Sequence, residues 1–136
     1  MDATALKTKE HETWTRVTPG WRKHDPALTD WLSPVTAKIL ESAKVSAGMS
    51  VLDLACGTGE PAIPAAKRVG GAGRVLAVDF VEDMLVFARE KAAKHGLGNV
   101  EFRRQDGEHL DAPASSFDAV TMRFGLMFMP QPAECL

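Results

Sequence analysis

From Gly48 onward the chain alternates short apolar runs with amphipathic stretches. Residues 50–54 are apolar apart from Asp53 and read as a strand. A glycine turn follows, then a short alanine-rich helix over about 60–69. The run Gly70-Gly71-Ala72-Gly73 is a flexible turn. A second strand is predicted over 74–78, with Asp79 at its carboxyl end. A helix over about 82–95 carries Met84, Leu85, Ala88 and Ala92 on one face. Gly96 stands where a C-cap glycine belongs. A third strand is predicted over 100–104 and a fourth over about 117–122. The apolar run 124–130, bounded by Pro130, reads as a loop, and Pro132 as the start of a further helix. Near-continuous apolar strands separated by helices predict a parallel sheet covered on both faces. Right-handed crossovers then make it a doubly wound α/β sheet.

The first 45 residues are patterned differently. Residues 3–17 are polar with sparse apolar positions, Leu6, Trp14 and Val17. Pro19-Gly20 is expected to break this helix. A short helical segment around Leu28, Trp31 and Leu32 follows Pro26. Ser33-Pro34 reads as an N-cap and first position of another helix, carrying Val35, Ile39, Leu40 and Ala43. The division expected is an N-terminal helical lid or cap over 1–45 and a Rossmann-like core over 46–136. Three tryptophans fall within the first 31 residues. They read either as core anchors or as a lid of helices over a pocket, with Trp14 and Trp21 the candidates.

Composition narrows the partners. A net charge of −2 offers no basic excess for nucleic acid or an anionic membrane surface. No stretch is long and apolar enough to span a membrane. Cys56 and Cys135 form neither a disulfide framework nor a zinc signature, so no metal is expected and a reducing cytoplasm is the default.

The chemistry collects at the strand ends. In doubly wound sheets ligands bind beyond the carboxyl edge, where the winding reverses. Gly57 and Gly59 let the backbone turn sharply and approach a ligand, and the turn is expected to leave backbone N–H groups free at the start of a helix. Asp53 lies within the first strand. Asp79 ends the second, twenty residues beyond Gly59, the spacing of a carboxylate that accepts from ribose hydroxyls. Asp106 follows the third strand and could accept from an adenine amine; Arg123 follows the fourth. Residues 57–62 also fit the dinucleotide pattern G-x-G-x-x-A. A carboxylate at Asp53 disfavours a pyrophosphate there and suits a ligand carrying ammonium and sulfonium charges.

These residues resemble the class I S-adenosylmethionine-dependent methyltransferases. Val51 to Gly59 is similar to that family's first motif and Ala77-Val78-Asp79 to its second. Gln105-Asp106-Gly107-Glu108 resembles the third, and Phe117 to Thr121 the fourth. Arg123 to Pro130 resembles the following segment in the branch of ubiquinone and menaquinone C-methyltransferases. Ala55 departs from the first motif, which usually has glycine there. The resemblance implies S-adenosylmethionine as cofactor and methyl transfer to a small-molecule acceptor. It implies that Asp53 sits near the methionine amino group, and that the backbone from Ala55 and Cys56 through Gly57 and Gly59 approaches the methionine moiety. Asp79 would hold the ribose, with Phe80 and Met84 flanking the adenine. Asp106 would hydrogen-bond the adenine amine, with Gly107 and Glu108 beside it, and Arg123 would lie near the methionine end. Trp14 and Trp21 would belong to the lid.

The family domain implies seven strands, of which four are visible. The chain therefore reads as C-terminally truncated, with the fourth strand an exposed edge prone to self-association. Such a fragment is expected to bind cofactor weakly or not at all and to lack independent activity. A non-catalytic S-adenosylmethionine-binding module and an NAD-type dinucleotide domain are the alternatives. No general base stands out: His11, His24 and His109 have no evident carboxylate partner.

Overall fold

The computed structural model describes residues 2–135. A single long helix, α1 (Ala3–Ser42), precedes an alternating core of β1 (Ser50–Leu54), α2 (Ala62–Val69), β2 (Arg74–Asp79), α3 (Glu82–Lys94), β3 (Val100–Arg104) and β4 (Ala119–Met122). Two short 3₁₀ turns, Leu126–Phe128 and Pro132–Cys135, close the described chain. The strands form one parallel sheet in the order β3-β2-β1-β4. The α/β, Rossmann-like architecture is thus the one expected, and β4 lies at an edge.

One face of the sheet buries Val51, Val75, Ala77 and Phe102 against Ile63, Ala66 and Val69 of α2, Leu85, Ala88 and Ala92 of α3, and Leu40 of α1. Alanines on both helices let the backbones approach the strands closely. Helix α3 begins with Glu82 and Asp83 and ends with Lys91 and Lys94, which matches its macrodipole. Gly96 follows it at φ +66°, a left-handed exit that glycine adopts freely. The Asn99 side-chain amide donates to the Ala66 and Gly70 carbonyls, 2.9 Å each, adding a second donor to carbonyls that also accept from the Gly70 and Gly73 N–H groups at the end of α2.

The other face differs from the expectation of helices on both sides. Leu52, Leu54, Leu76 and Val78 are buried there under Leu110 and Phe117 from the segment after β3, Met122 of β4 and Cys135 of the last 3₁₀ turn. Both α2 and α3 lie on the first face. The polar segment after β3 crosses back over the second face to β4, so the winding reverses between β1 and β4. Val120 on β4 stays 54% exposed.

The N-terminal region is the main correction. In place of three segments, α1 runs unbroken through Pro19, Pro26 and Pro34. All three prolines sit on its exposed side, where water can take the carbonyls they leave without a donor. Ser33 is not an N-cap: its hydroxyl donates to the Asp30 carbonyl at 2.8 Å, the acceptor that Pro34 cannot serve. The true cap is Asp2, which accepts from the Ala5 N–H at 2.8 Å. Lys7, His11, Trp14, Thr18, Trp21, Asp25, Leu28, Leu32, Thr36 and Leu40 all face inward or are part-covered, at a steady spacing of three to four residues.

Candidate active site

At the switch point, the turn after β1 and the turn after β4 face each other and α1 lies across them. They enclose a cavity of about 530 Å³. Its floor is Ala55 to Thr58 with Glu60, and its rear wall Asp79, Val81 and Met84. Arg123, Phe124 and Gly125 form one side. Helix α1 supplies Trp14, Trp21, Leu28, Trp31 and Leu32, with Met127 and Phe128 completing a largely apolar wall. Trp14 meets Trp21 at a 6.0 Å centroid separation and Phe128 edge-to-face at 5.1 Å. A smaller cavity of about 50 Å³ adjoins it, lined by Lys7, Phe80, Asp106, Gly107 and Glu108. Ala55 and Asp79 line both.

The turn depends on left-handed backbone at Ala55 (φ +53°), Gly57 (φ +52°) and Gly59 (φ +105°). A Cβ at Gly59 would lie 2.8 Å from the Ile63 side chain, so glycine is required there on two counts. A Cβ at Gly57 would meet nothing within 4 Å. Most of the N–H groups expected to be free are taken. Cys56 donates to the Val78 carbonyl, Gly59 and Glu60 donate to the Cys56 carbonyl, and Gly57 donates to Asp79 at 2.8 Å. The Thr58 N–H has no partner among the described residues, and Thr58 lines the cavity. Helix α2 starts only at Ala62. This turn spends most of its donors on its own shape and on Asp79.

The carboxylates separate into distinct environments. Asp53 is fully buried beneath the floor and lines neither cavity. Thr121, its register partner on β4, donates to Oδ1 at 2.8 Å, and Oδ2 has no hydrogen-bond partner. Burial pushes its pKa up to about 8, against the pull of the Thr121 hydroxyl. Asp79 is buried at the shared wall and accepts from Gly57 and Val81 N–H groups at 2.8 and 2.9 Å. Burial still raises its pKa above the usual range. Each of its oxygens has one protein donor and capacity for a second, and the residue lines both cavities.

Asp106 accepts from the Glu108 N–H at 3.0 Å and pairs with Lys7. Burial opposes ionisation, but Lys7 wins and its pKa falls below the ordinary value. The same ammonium lies 2.6 Å from Glu108, whose other oxygen accepts from the Gln131 N–H at 2.6 Å. Glu60 is 6% exposed, makes no side-chain hydrogen bond or ion pair among the described residues, and lines the large cavity. Burial raises its pKa.

The remaining candidates divide between the compartments. Phe80 lines the small cavity, where His11 meets its ring edge-to-face at 5.5 Å; Met84 lines the large one. Gly107 lines the small cavity beside Asp106. Cys56 is buried in the floor, and burial drives its thiol pKa well up. Arg123 faces the large cavity while donating to the Thr36 hydroxyl of α1 at 2.9 Å. Burial lowers its pKa, with Glu60 the foremost charge opposing that. Sequence reading did not single out Lys7, Thr36, Thr121 or Glu60 as site residues. Glu60 stood in plain view one position after Gly59. The other three act across 68 to 99 residues of chain and carry no local signal.

A parallel sheet with a cavity over its switch point, acids at the strand tips and a carboxylate seated on the glycine turn defines a nucleoside-binding α/β domain. The methyltransferase domain family matches residues 51–136, and the chain belongs to it. A demethylmenaquinone methyltransferase of Listeria monocytogenes is 33% identical over 129 residues, covering 94% of this chain and 54% of the relative. Nocamycin O-methyltransferase of Saccharothrix syringae is 36% identical over 107 residues, covering 79% of this chain and 38% of the relative. The chain thus spans about half or less of the length of these curated relatives. A S-adenosylmethionine-dependent methyltransferase of Aquifex aeolicus superposes with a TM-score of 0.67 at 32% identity, over 74% of this chain and 53% of that one. Phosphoethanolamine N-methyltransferase 1 of Haemonchus contortus, solved with S-adenosylhomocysteine, shares the fold over 95% of this chain and 28% of its own, with a TM-score of 0.79 at 22% identity.

Proposed function

We propose that this chain binds S-adenosylmethionine at the carboxyl edge of the sheet and directs its methyl group to a small acceptor held against the tryptophans of α1. The observation that carries this reading is the pair of adjoining cavities sharing Asp79. The small one has the dimensions and acidic lining for a base amine, and the large one falls within the volume range of small-molecule sites. S-adenosylmethionine supplies a methyl already activated by its sulfonium, so the protein's work is alignment rather than bond polarisation.

In this reading Asp79 accepts from the ribose hydroxyls, held in place by the Gly57 and Val81 N–H groups. Phe80 stacks on the base, and Met84 packs deeper on the same side. Asp106, with Gly107 and Glu108, takes the adenine amine once Lys7 yields. Trp14, Trp21 and Phe128 shape the acceptor side and exclude water from the transfer. The division into a lid over 1–45 and a core over 46–136 follows from α1 forming that wall. Two free cysteines and the absence of any helix long and apolar enough to cross a membrane among the described residues fit a cytoplasmic site of action. The open edge at β4, with Val120 exposed, supports self-association there.

The relatives' names support methyl transfer over a non-catalytic module, and the Asp79 carboxyl seated on the Gly57 N–H, at the turn where a pyrophosphate would lie, argues against a dinucleotide. Calorimetry with S-adenosylhomocysteine and, separately, NAD tests the reading. Saturable binding of the first and none of the second is expected; the reverse would overturn it.

A further inference from the structure

We infer that Glu60, together with Arg123, receives the amino-acid end of the cofactor: the carboxylate of Glu60 takes the ammonium, and the guanidinium of Arg123 takes the carboxylate. This rests on the cofactor reading above and reassigns the role that the sequence suggested for Asp53.

The argument begins with where the charges point. Asp53 is 0% exposed, lies under the floor and lines neither cavity, so a ligand cannot reach it without opening the sheet end. Its Oδ1 is already taken by Thr121. Glu60 lies seven residues later on the cavity floor, with no hydrogen bond and no ion pair of its own among the described residues. A nearly buried carboxylate without a donor is costly unless something cationic arrives.

The neighbouring charges do not meet that need. From α3, Lys91 acts on Glu60 but is committed to Asp25 of α1 at 2.9 Å. Lys67 of α2 acts on it from an exposed position, and Asp25 repels it. Arg123 faces the same cavity from the turn after β4, yet no ion pair joins it to Glu60, and Thr36 holds it at 2.9 Å. The two opposite charges thus line one cavity with no ion pair between them. That arrangement complements a group carrying both signs on one carbon, which is the free α-amino-acid end of an adenosyl ligand. Arginine suits the carboxylate through its planar fork, and Glu60 is acceptor-only and suits an ammonium.

The test compares two ligands on the intact chain by calorimetry. S-adenosylhomocysteine carries the amino-acid end; 5′-methylthioadenosine keeps the adenosine and sulfur and lacks it. Glu60→Gln is expected to weaken S-adenosylhomocysteine about tenfold or more while leaving 5′-methylthioadenosine unchanged. The second ligand also reports that the variant is folded. Asp53→Asn is expected to weaken S-adenosylhomocysteine far less than Glu60→Gln does. Equal affinities of wild type and Glu60→Gln for S-adenosylhomocysteine would overturn the inference alone. So would a loss confined to S-adenosylmethionine, since Glu60 would then face the sulfonium. If the wild-type chain bound neither adenosyl ligand, the cofactor reading would fall and this inference with it.

Discussion

Ala55 and Gly125 face each other across the switch point so closely that a Cβ on Gly125 would lie 2.6 Å from the Ala55 Cβ. Ala55 stands where the resembled motif has glycine, and it holds a left-handed φ of +53°. The methyl group gained on one side of the cleft is accommodated by the lack of one on the other. Gly125→Ala is expected to destabilise the fold by about 1–3 kcal/mol through overpacking. The Met122 side chain, 3.2 Å from the same point, adds to the crowding. Adding Ala55→Gly should recover much of the loss. Urea midpoints at constant m-value for the two single variants and the double variant check this.

Asp53 sets a pH dependence of stability. Its folded pKa of about 8 lies above the unfolded value, because burial disfavours the anion. The folded state therefore holds a proton that the unfolded state has released, and stability falls as pH rises from about 4 to about 8. Raised values at Glu60 and Asp79 push the same way. Asp53→Asn should flatten the decline without abolishing it. Urea midpoints at pH 5 and pH 8 for both proteins give the comparison, and equal slopes would refute the assignment.

Lys7 occupies the carboxylates that the proposed function gives to the adenine amine. Lys7→Met removes the competitor. The Asp106 pair is partly exposed, and such pairs are worth up to about 1 kcal/mol, so S-adenosylhomocysteine should bind up to about fivefold more tightly. The affinity should also depend less on salt than in the wild type. Titrations at low and high ionic strength measure both effects.

The Ser33 hydroxyl stands in for the N–H that Pro34 lacks. Ser33→Ala should lower stability by about 0.5–1 kcal/mol, since a hydrogen bond is lost at an exposed position where water partly replaces it. Pro34→Ala, which restores an N–H, should offset that loss in the double variant. Thermal melts of the three variants resolve the cycle.

The core was legible because its strands are almost wholly apolar and its glycines fall at true turns. β1, α3 and β3 start and end within a residue of where the hydrophobic pattern places them. The strand-tip acids were legible as a set, but not which of them face the cavities. Asp53 and Glu60 are separated by one turn, and only the path of that turn sends one under the floor and the other onto it. Helix α1 was the least legible element. Its inward stripe mixes tryptophans with Thr18, Asp25 and Thr36, all buried, so apolar periodicity alone does not reveal it. Asp25 is buried because Lys91 meets it, and Thr36 because Arg123 does. Those partners belong to other elements, and a linear pattern carries no trace of them.

The unbroken course of α1 has a mechanical consequence. Its forty residues make a rod about 60 Å long if straight. Its first turns meet Asp106, Glu108, Phe80 and Phe128, Asp25 at its middle pairs with Lys91, and Leu40 at its far end is embedded in the interior. Clearing the way for a ligand is therefore a matter of bending a beam held at several points along its length, not of melting a loop. The natural elbows are Pro19 and Pro26, where the ladder already lacks a rung.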